Sequence, residues 1–166
     1  MASELRVFVY GTLKRGFPNH HKYCTGFSSV SPAWIWGRLF RLTPAIPAVI
    51  IPFDDILACG TADIAADVEV QEKFELVPGV DPAAGRTSSD RDGWKKIQGE
   101  LLIFDDPHSR LPVLDALEDY NPGLPSTYLR VLGSINLEKG LRTSAWVYIA
   151  GFDPAELEEC TSGNWA

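Results

Sequence analysis

Glu118 is the carboxylate of this sequence that is best placed for acid–base chemistry. It lies near the end of the run 110–120, which reads as a short helix closed by an Asn-Pro-Gly turn. At about 100° per residue, Leu111, Leu114 and Leu117 form one apolar stripe, and Glu118 falls on that stripe. A carboxyl that faces an apolar interior loses hydration, so its pKa rises above the usual value of about 4.3 toward the range of a general base or acid near neutrality.

Two neighbouring acids and one distant arginine bear on this interpretation. Asp115 lies at the margin of the apolar stripe and Asp119 lies beyond it, so both are predicted to be solvated or capping carboxylates. The alternative for Glu118 is a buried salt bridge, for instance to Arg130. Helical periodicity alone leaves both roles open for Glu118.

A second candidate lies near the N-terminus, where a hydrophobic strand stops abruptly in Tyr10, Gly11, Thr12 and Leu13. A strand that ends in a glycine turn leaves several backbone N–H groups without ladder partners, and such groups can point together at an anion. The four residues are therefore candidates for substrate binding. The alternative is an ordinary turn after the first strand.

Tyr128 and Arg130 are two further candidates for substrate binding. In the strand that begins at residue 127, alternation places Leu129 and Val131 on one face and Tyr128 with Arg130 on the other. We expect Tyr128 to position Glu118 or the substrate through a hydrogen bond. Arg130 is expected either to contact substrate or to form an ion pair on the face of its strand, and spacing does not choose between these.

The elements that must position these residues are mostly strands. The clearest helix is predicted at 108–120. Six segments alternate or are rich in β-branched and aromatic residues, which predicts strands at 5–10, 33–42, 48–52, 97–104, 127–137 and 143–150. Because these strands do not repeat a βαβ pattern, the predicted class is α+β: a small mixed or antiparallel β-barrel with a few peripheral helices.

The whole chain, residues 1–166, is predicted to be a single domain, because 166 residues with 45% hydrophobic content can bury a core without disulfides or metal. An insertion is predicted at about 53–96, with a possible helix at 61–74 and a mobile loop at 78–93. This insertion could cap the pocket and select the leaving group, form an oligomer contact or extend into solvent. A separate tail is predicted at about 153–166.

Trp165 is an apolar anchor on that otherwise polar tail, so the tail is expected to fold back over the barrel. The aromatic residues of the strands are predicted to be core or barrel wall.

Composition narrows the classes of partner. The net charge of −7 and the pI near 4.9 argue against nucleic acid or an anionic membrane surface as the main partner, and they are compatible with a small zwitterionic substrate. The sequence has neither a run of about 18 apolar residues nor a secretory leader, so we expect a cytoplasmic protein without a membrane span. The sequence carries no signal for the oligomeric state.

Cysteine and histidine are not expected to form a cofactor or metal site. Cys24, Cys59 and Cys160 are widely spaced and odd in number, which predicts reduced thiols that serve as small buried apolar groups. The pair His20 and His21 has no third ligand in a plausible register. His20 is instead expected near the mouth of the pocket, without a catalytic role.

Together these motifs resemble the γ-glutamylcyclotransferase-like family, closest to its γ-glutamylamine cyclotransferase branch. The resemblance rests on the Tyr-Gly-Thr-Leu turn, the Leu-Asp-x-Leu-Glu helix end and the following Tyr-x-Arg strand. Further stretches at 14–20, 36–49 and 98–101 agree in order and spacing, so that the resemblance covers most of residues 5–150.

The resemblance implies a small barrel in which the backbone of Tyr10–Leu13 holds the glutamyl end of a substrate and Glu118 accepts a proton. The implied reaction closes the substrate's own α-amino group on its γ-carbonyl, giving 5-oxoproline and a free amine without an enzyme nucleophile. Two other functions stay open. One is a related enzyme that acts on a different γ-glutamyl or amide substrate in a biosynthetic pathway, and the other is a non-catalytic small-molecule binding module.

Overall fold

Strands dominate the computed structural model, which describes residues 3–74 and 93–165. The described strands are β1 (Leu5–Val9), β2 (Ser29–Thr43), β3 (Ile46–Ile50), β4 (Ile56–Cys59), β5 (Lys95–Phe104), β6 (Tyr128–Leu137), β7 (Arg142–Ala150) and β8 (Glu158–Glu159). The described α-helices are α1 (Pro18–Tyr23), α2 (Ile64–Lys73) and α3 (Pro107–Leu117), and 3₁₀ turns lie at Phe53–Asp55 and Glu138–Gly140.

Five of the strands close into a barrel. Around the barrel their order is β2, β5, β1, β7 and β6, and the pairing of β6 with β2 closes the circle. The β1–β7 pair is parallel, with Val7 opposite Trp146, and the other pairs are antiparallel. The strands β3 and β8 extend the sheet from β2, and β4 extends it from β6. The predicted mixed barrel with a few peripheral helices is confirmed.

Alternation along the barrel strands separates two cores. One core receives side chains from all five barrel strands, including Phe8, Ile35 and Leu101, and it fills the barrel. The other core lies on the outside of the barrel beneath α3, where Leu111 and Leu114 pack with residues of β1, β5, β6 and β7. Tyr128 and Tyr148 belong to this outer core, so one end of it reaches the rim near α3.

The six predicted strands and the predicted helix are all present, with shifted ends. The largest shift is in β2, which begins at Ser29 rather than at 33. The possible helix at 61–74 is confirmed as α2, whose first turn is capped by the Asp63 side chain. The sequence interpretation missed α1, β4 and β8, each of which has six residues or fewer. The predicted loop at 78–93 lies outside the described residues except for Gly93.

A buried arginine on β6 ties helices α2 and α3 to the barrel. The Arg130 side chain has no exposure, and it contacts the Asp67 carboxylate on α2 at 2.9 Å and the Asp115 carboxylate on α3 at 2.8 Å. Its guanidinium also lies over the Trp146 and Tyr120 rings, 4.8 and 5.2 Å from their centroids.

The environment of Asp115 and that of Asp119 differ sharply. The prediction that Asp115 is solvated or capping is wrong, because the buried Arg130 draws its side chain inward. Asp119 is exposed, as predicted, and accepts a hydrogen bond from the Thr127 hydroxyl. None of the helices in the described residues is long and apolar enough to cross a membrane.

Replacing Arg130 by leucine should lower the free energy of unfolding by about 3 kcal/mol, because two buried carboxylates would lose their cation. Urea unfolding at pH 7 measures this. Arg38→Leu is the control, since Arg38 pairs with Glu159 on a half-exposed surface and should cost at most about 1 kcal/mol. Equal losses in the two variants would contradict the role given to Arg130.

Candidate active site

A pocket lies at the rim of the barrel, where β1 ends. Five parts of the chain meet there: the end of β1 with the turn after it, the start of β3, the end of α3, the start of β6 and the second half of β7. The walls are residues 8–13, Ile46, Pro47, Glu118, Tyr128 and Tyr148.

The turn Tyr10–Leu13 presents backbone donors to this pocket. The Lys14 amide donates to the Gly11 carbonyl at 3.0 Å, which closes a tight turn. Within the described residues, no acceptor is found for the amides of Gly11, Thr12 and Leu13. Such neighbouring N–H groups attract a carboxylate or another anionic group, as the sequence predicted for this turn.

Helix α1 holds the turn in place. The Asn19 side-chain amide donates to the Thr12 hydroxyl at 3.0 Å, and His20 Nδ1 lies 2.9 Å from the Leu13 carbonyl oxygen, to which its N–H donates. The His20 ring is buried and packs against Phe27. No cluster of His, Cys, Asp and Glu suited to a metal ion occurs among the described residues. His20 thus holds the backbone of the turn in place through its hydrogen bond to the Leu13 carbonyl.

Gly11 is required by a close approach. A Cβ at this position would lie 2.5 Å from Pro47 Cγ, so that any larger residue would push β3 away from the turn. From the other side, the Tyr128 hydroxyl donates to the Pro47 carbonyl at 2.5 Å. Pro47 is thus clamped between the turn and β6.

Glu118 follows the last residue of α3. The helix ends here because Asp119 takes a positive φ of 51°, and the Glu118 amide still donates to the Leu114 carbonyl at 3.0 Å. The Glu118 side chain is half-buried in the pocket, and desolvation raises its pKa to about 7. This agrees in direction with the shift predicted from the apolar stripe.

The Glu118 carboxyl has no hydrogen bond or ion pair with any described residue. The alternative of a buried salt bridge to Arg130 fails, because Asp67 and Asp115 already pair with that guanidinium. The Glu118 carboxyl can therefore gain or lose a proton without breaking a structural contact.

Three buried tyrosines surround the carboxyl, and all three hydroxyls are used elsewhere. The Tyr10 hydroxyl donates to the Tyr148 carbonyl at 2.7 Å, and the Tyr148 hydroxyl donates to Asp115 at 2.7 Å. Burial, with the charge of Glu118 as a smaller cause, raises the pKa of Tyr10, Tyr128 and Tyr148. The hydroxyls therefore stay protonated near neutrality.

The structure brings together six of the seven residues that the sequence put forward: Tyr10, Gly11, Thr12, Leu13, Glu118 and Tyr128. Tyr128 donates to Pro47, not to Glu118 as expected. Arg130 does not line the pocket, because Asp67 on α2 and Asp115 on α3 hold its side chain. Of the two roles expected for Arg130, the ion pair is therefore the one that the structure shows.

The sequence interpretation missed Tyr148, Ile46 and Pro47. Tyr148 is buried in the outer core, which agrees with the expectation that the strand aromatics are core or barrel wall, but it also lines the pocket. It lies opposite Arg130 in the β6–β7 register. Its hydroxyl and the alternation of β7 were signals for this position. Ile46 and Pro47 carry no local signal for a site.

The three cysteines are free thiols that lie outside the walls of the pocket. Cys24 is buried as predicted, and burial raises its pKa to about 12, so it is a poor nucleophile. Cys160 is half-buried, and Cys59 is exposed, so the prediction of a buried apolar role is wrong for Cys59.

A turn with free backbone N–H groups and an unpaired carboxyl share one pocket at the rim of a small barrel. This arrangement is typical of a site that binds a small molecule. The family described as "Gamma-glutamyl cyclotransferase, AIG2-like" matches residues 7–61 and 57–166. The chain therefore belongs to the AIG2-like gamma-glutamyl cyclotransferase family, which confirms the resemblance inferred from the sequence.

One curated relative is CG2811 of Drosophila melanogaster, provisionally named a gamma-glutamylcyclotransferase. It is 29% identical over 153 residues, which cover 90% of this chain and 74% of the fly protein.

Solved structures share the fold at low identity. The AIG2-like protein of Mus musculus has a TM-score of 0.52 at 21% identity, covering 95% of this chain and 86% of its own. PH0828 of Pyrococcus horikoshii has a TM-score of 0.52 at 17% identity, covering 96% and 88%. YkqA of Bacillus subtilis has a TM-score of 0.56 at 18% identity, and this chain, covered to 98%, spans 39% of its length.

Glu118→Gln should stabilise the protein at alkaline pH. An unfolded glutamate titrates near about 4.3, and the folded one at about 7. Between these values the folded protein keeps a proton that the unfolded chain has lost, so its free energy of unfolding falls as pH rises and stays low above pH 7. The variant lacks this loss, and we expect it to be about 2–3 kcal/mol more stable than the natural chain at pH 8.

Urea unfolding between pH 5 and pH 8 measures this difference, which should shrink toward pH 5. The control is Glu69→Gln, which removes an exposed carboxyl on α2. A Glu118→Gln protein that is less stable than the natural chain at pH 8 would mean that the ionised carboxyl has a stabilising partner.

Tyr128→Phe should cost about 1–2 kcal/mol of unfolding free energy, because the Pro47 carbonyl would lose its buried donor. Tyr23→Phe is the matched control, since the Tyr23 hydroxyl has no hydrogen bond within the described residues. Urea unfolding compares the two variants. If both lose the same free energy, Tyr128 does not clamp Pro47.

Proposed function

We propose that this chain is an enzyme that cyclises the γ-glutamyl group of a small amine, amide or peptide conjugate to 5-oxoproline and releases the amine. The observation that carries the proposal is an unpaired, desolvated carboxyl, Glu118, that shares one pocket with the free amides of the turn Tyr10–Leu13. Membership of the gamma-glutamyl cyclotransferase family supports the reaction type.

In the proposed reaction Glu118 first acts as a base. Its carboxylate takes a proton from the substrate's α-ammonium group, and the freed amine attacks the γ-carbonyl carbon. A bond forms between this nitrogen and the carbon, and the carbonyl oxygen takes up the electron pair. With a pKa of about 7, Glu118 is matched to this transfer near neutral pH.

Glu118 then acts as an acid. The protonated carboxyl donates to the nitrogen of the leaving amine, the bond between that nitrogen and the γ-carbon breaks, and the carbonyl re-forms within 5-oxoproline. The ring nitrogen still carries one proton more than the lactam needs. The Glu118 carboxylate takes this second proton and passes it to the released amine, which departs as an ammonium ion. Two protons thus move from the α-nitrogen to the leaving nitrogen, and Glu118 is regenerated. No covalent bond to the enzyme is needed, which fits the high pKa of the Cys24 thiol.

The turn and the tyrosines supply position. Closure of a five-membered ring is limited by orientation, and correct placement of the two ends is worth several kcal/mol. In the proposal the amides of Gly11, Thr12 and Leu13 hold the glutamyl end, and Tyr10, Tyr128 and Tyr148 confine it. Arg130 contributes indirectly, because it anchors Asp115, which accepts from Tyr148.

Release of 5-oxoproline from γ-glutamyl alkylamides, γ-glutamyl dipeptides and glutathione tests the proposal. We expect release from at least one conjugate, with kcat/KM falling as pH drops below about 7 because Glu118 becomes protonated. Glu118→Gln should lower kcat by at least about a hundredfold, the usual size of an acid–base contribution.

Asp119→Asn is the matched control, since it removes an adjacent exposed carboxyl and asparagine tolerates the positive φ at this position. It should keep activity within about threefold of the natural chain. Equal activity of Glu118→Gln and the natural chain would remove Glu118 from its role. No release from any conjugate by folded protein would favour the different-substrate or binding-module alternative.

A further inference from the structure

A second cleft adjoins the candidate active site. The two share Thr12 and Ile46 as wall residues, so they lie side by side. The remaining walls of the second cleft come from the start of α1, the β2–β3 turn and the C-terminal tail, where Phe17, Ala45 and Trp165 stand.

The tail is fixed in this wall by specific contacts. The Trp165 carbonyl accepts from Lys14 Nζ at 2.7 Å, and two residues earlier the Gly163 carbonyl accepts from the Gln98 amide at 2.8 Å. Gly163 has a positive φ of 71°, and a Cβ there would meet the Lys96 carbonyl at 2.3 Å. Trp165 is buried except for the part that faces the cleft, so the cleft has a built aromatic wall.

Among the residues described, the walls of the second cleft carry no charged side chain and are mostly apolar. The two polar wall residues, Thr12 and Asn19, are hydrogen-bonded to each other. Two cations lie against the walls of this cleft: Lys14 Nζ is 5.7 Å from the Phe17 ring centroid and donates to the Trp165 carbonyl. Arg41 lies 4.7 Å from the Trp165 ring centroid and donates to the Pro44 carbonyl. Ile46 is 41% exposed, which is high for an isoleucine, and it forms the border between the two clefts.

Glu118 must also reach the nitrogen of the leaving amine, so the bond that breaks lies in the first pocket. Whatever is attached to that nitrogen then extends past Thr12 and Ile46. The part of the predicted insertion that the structure describes before the gap, residues 53–74, walls neither cleft.

We propose that the second cleft binds the leaving amine, and that the preferred substrates are γ-glutamyl conjugates of amines with an apolar alkyl or arylalkyl body and no second positive charge. This rests on the proposed function. The apolar walls gain by contact with such a body, whereas a second cation would lose hydration and be repelled by Lys14 and Arg41.

A substrate series with leaving amines of similar basicity tests this: γ-glutamyl ethylamide, γ-glutamyl isoamylamide and γ-glutamyl 4-aminobutylamide. Each buried methylene is worth about fourfold in binding. We therefore expect kcat/KM for the isoamyl conjugate to exceed that for the ethyl conjugate by at least about tenfold, and the cationic conjugate to fall below the isoamyl one by at least about tenfold.

Ala45→Asp tests the location, and Ala45→Asn carries the same bulk without the charge. Ala45 is exposed in the β2–β3 turn, where both residues are tolerated. The aspartate should raise kcat/KM for the cationic conjugate relative to the isoamyl conjugate by about fivefold or more, compared with the asparagine variant.

The outcomes separate the two proposals. If 5-oxoproline is released at equal kcat/KM from all three conjugates, or fastest from the cationic one, the leaving-amine proposal is overturned and the cyclisation stands. The same holds if the Ala45→Asp and Ala45→Asn variants share one substrate preference. No release from any of the three conjugates overturns the leaving-amine proposal, and it overturns the cyclisation as well only if γ-glutamyl dipeptides and glutathione also give no 5-oxoproline.

Discussion

The distribution of charge around Arg130 is the constraint on which the candidate site depends. Arg130 is the buried cation that was the candidate partner for a salt bridge to Glu118, but Asp67 and Asp115 already pair with it. Two carboxylates on one guanidinium leave no attraction for a third. Glu118 is therefore left desolvated and unpaired, and its pKa of about 7 follows from that. Asp115, three residues before Glu118, thus pairs with the cation that would otherwise attract the Glu118 carboxylate.

The barrel contributes by excluding ligands from its interior. Eight strands make a barrel just wide enough for side chains to fill, so a barrel of five is narrower, and here Phe8, Ile35 and Leu101 occupy it. A ligand can bind only where strands end or helices cross the outside. The turn after β1 and the end of α3 meet at such a place, on the rim, with β3 pressed against them through Pro47.

Local patterns in the sequence predicted what local physics determines. Alternation identified six strands, and the apolar stripe of α3 placed Glu118 on its inward side. The assignment of Asp115 failed because its partner lies 15 residues away on β6, and the third member, Asp67, lies on another helix. Helix α1 was not predicted, because six residues are too few to show a 3.6-residue period in the sequence. Ile46 and Pro47 enter the site only through the pairing of β3 with β2.

A carboxyl without a partner is costly to the fold, and the arrangement of the site explains how the protein tolerates it. Above neutral pH the ionised Glu118 has lost part of its hydration and has no cation beside it among the described residues, so its ionisation lowers the stability of the folded state. The surrounding contacts are correspondingly firm: Tyr10, Tyr128 and Tyr148 each use their hydroxyl to hold another element, not to neutralise the carboxylate. A hydrogen bond from any of them to Glu118 would stabilise the ionised form and lower its pKa. The same tyrosines thus keep the pocket rigid and leave the carboxyl basic enough to accept a proton.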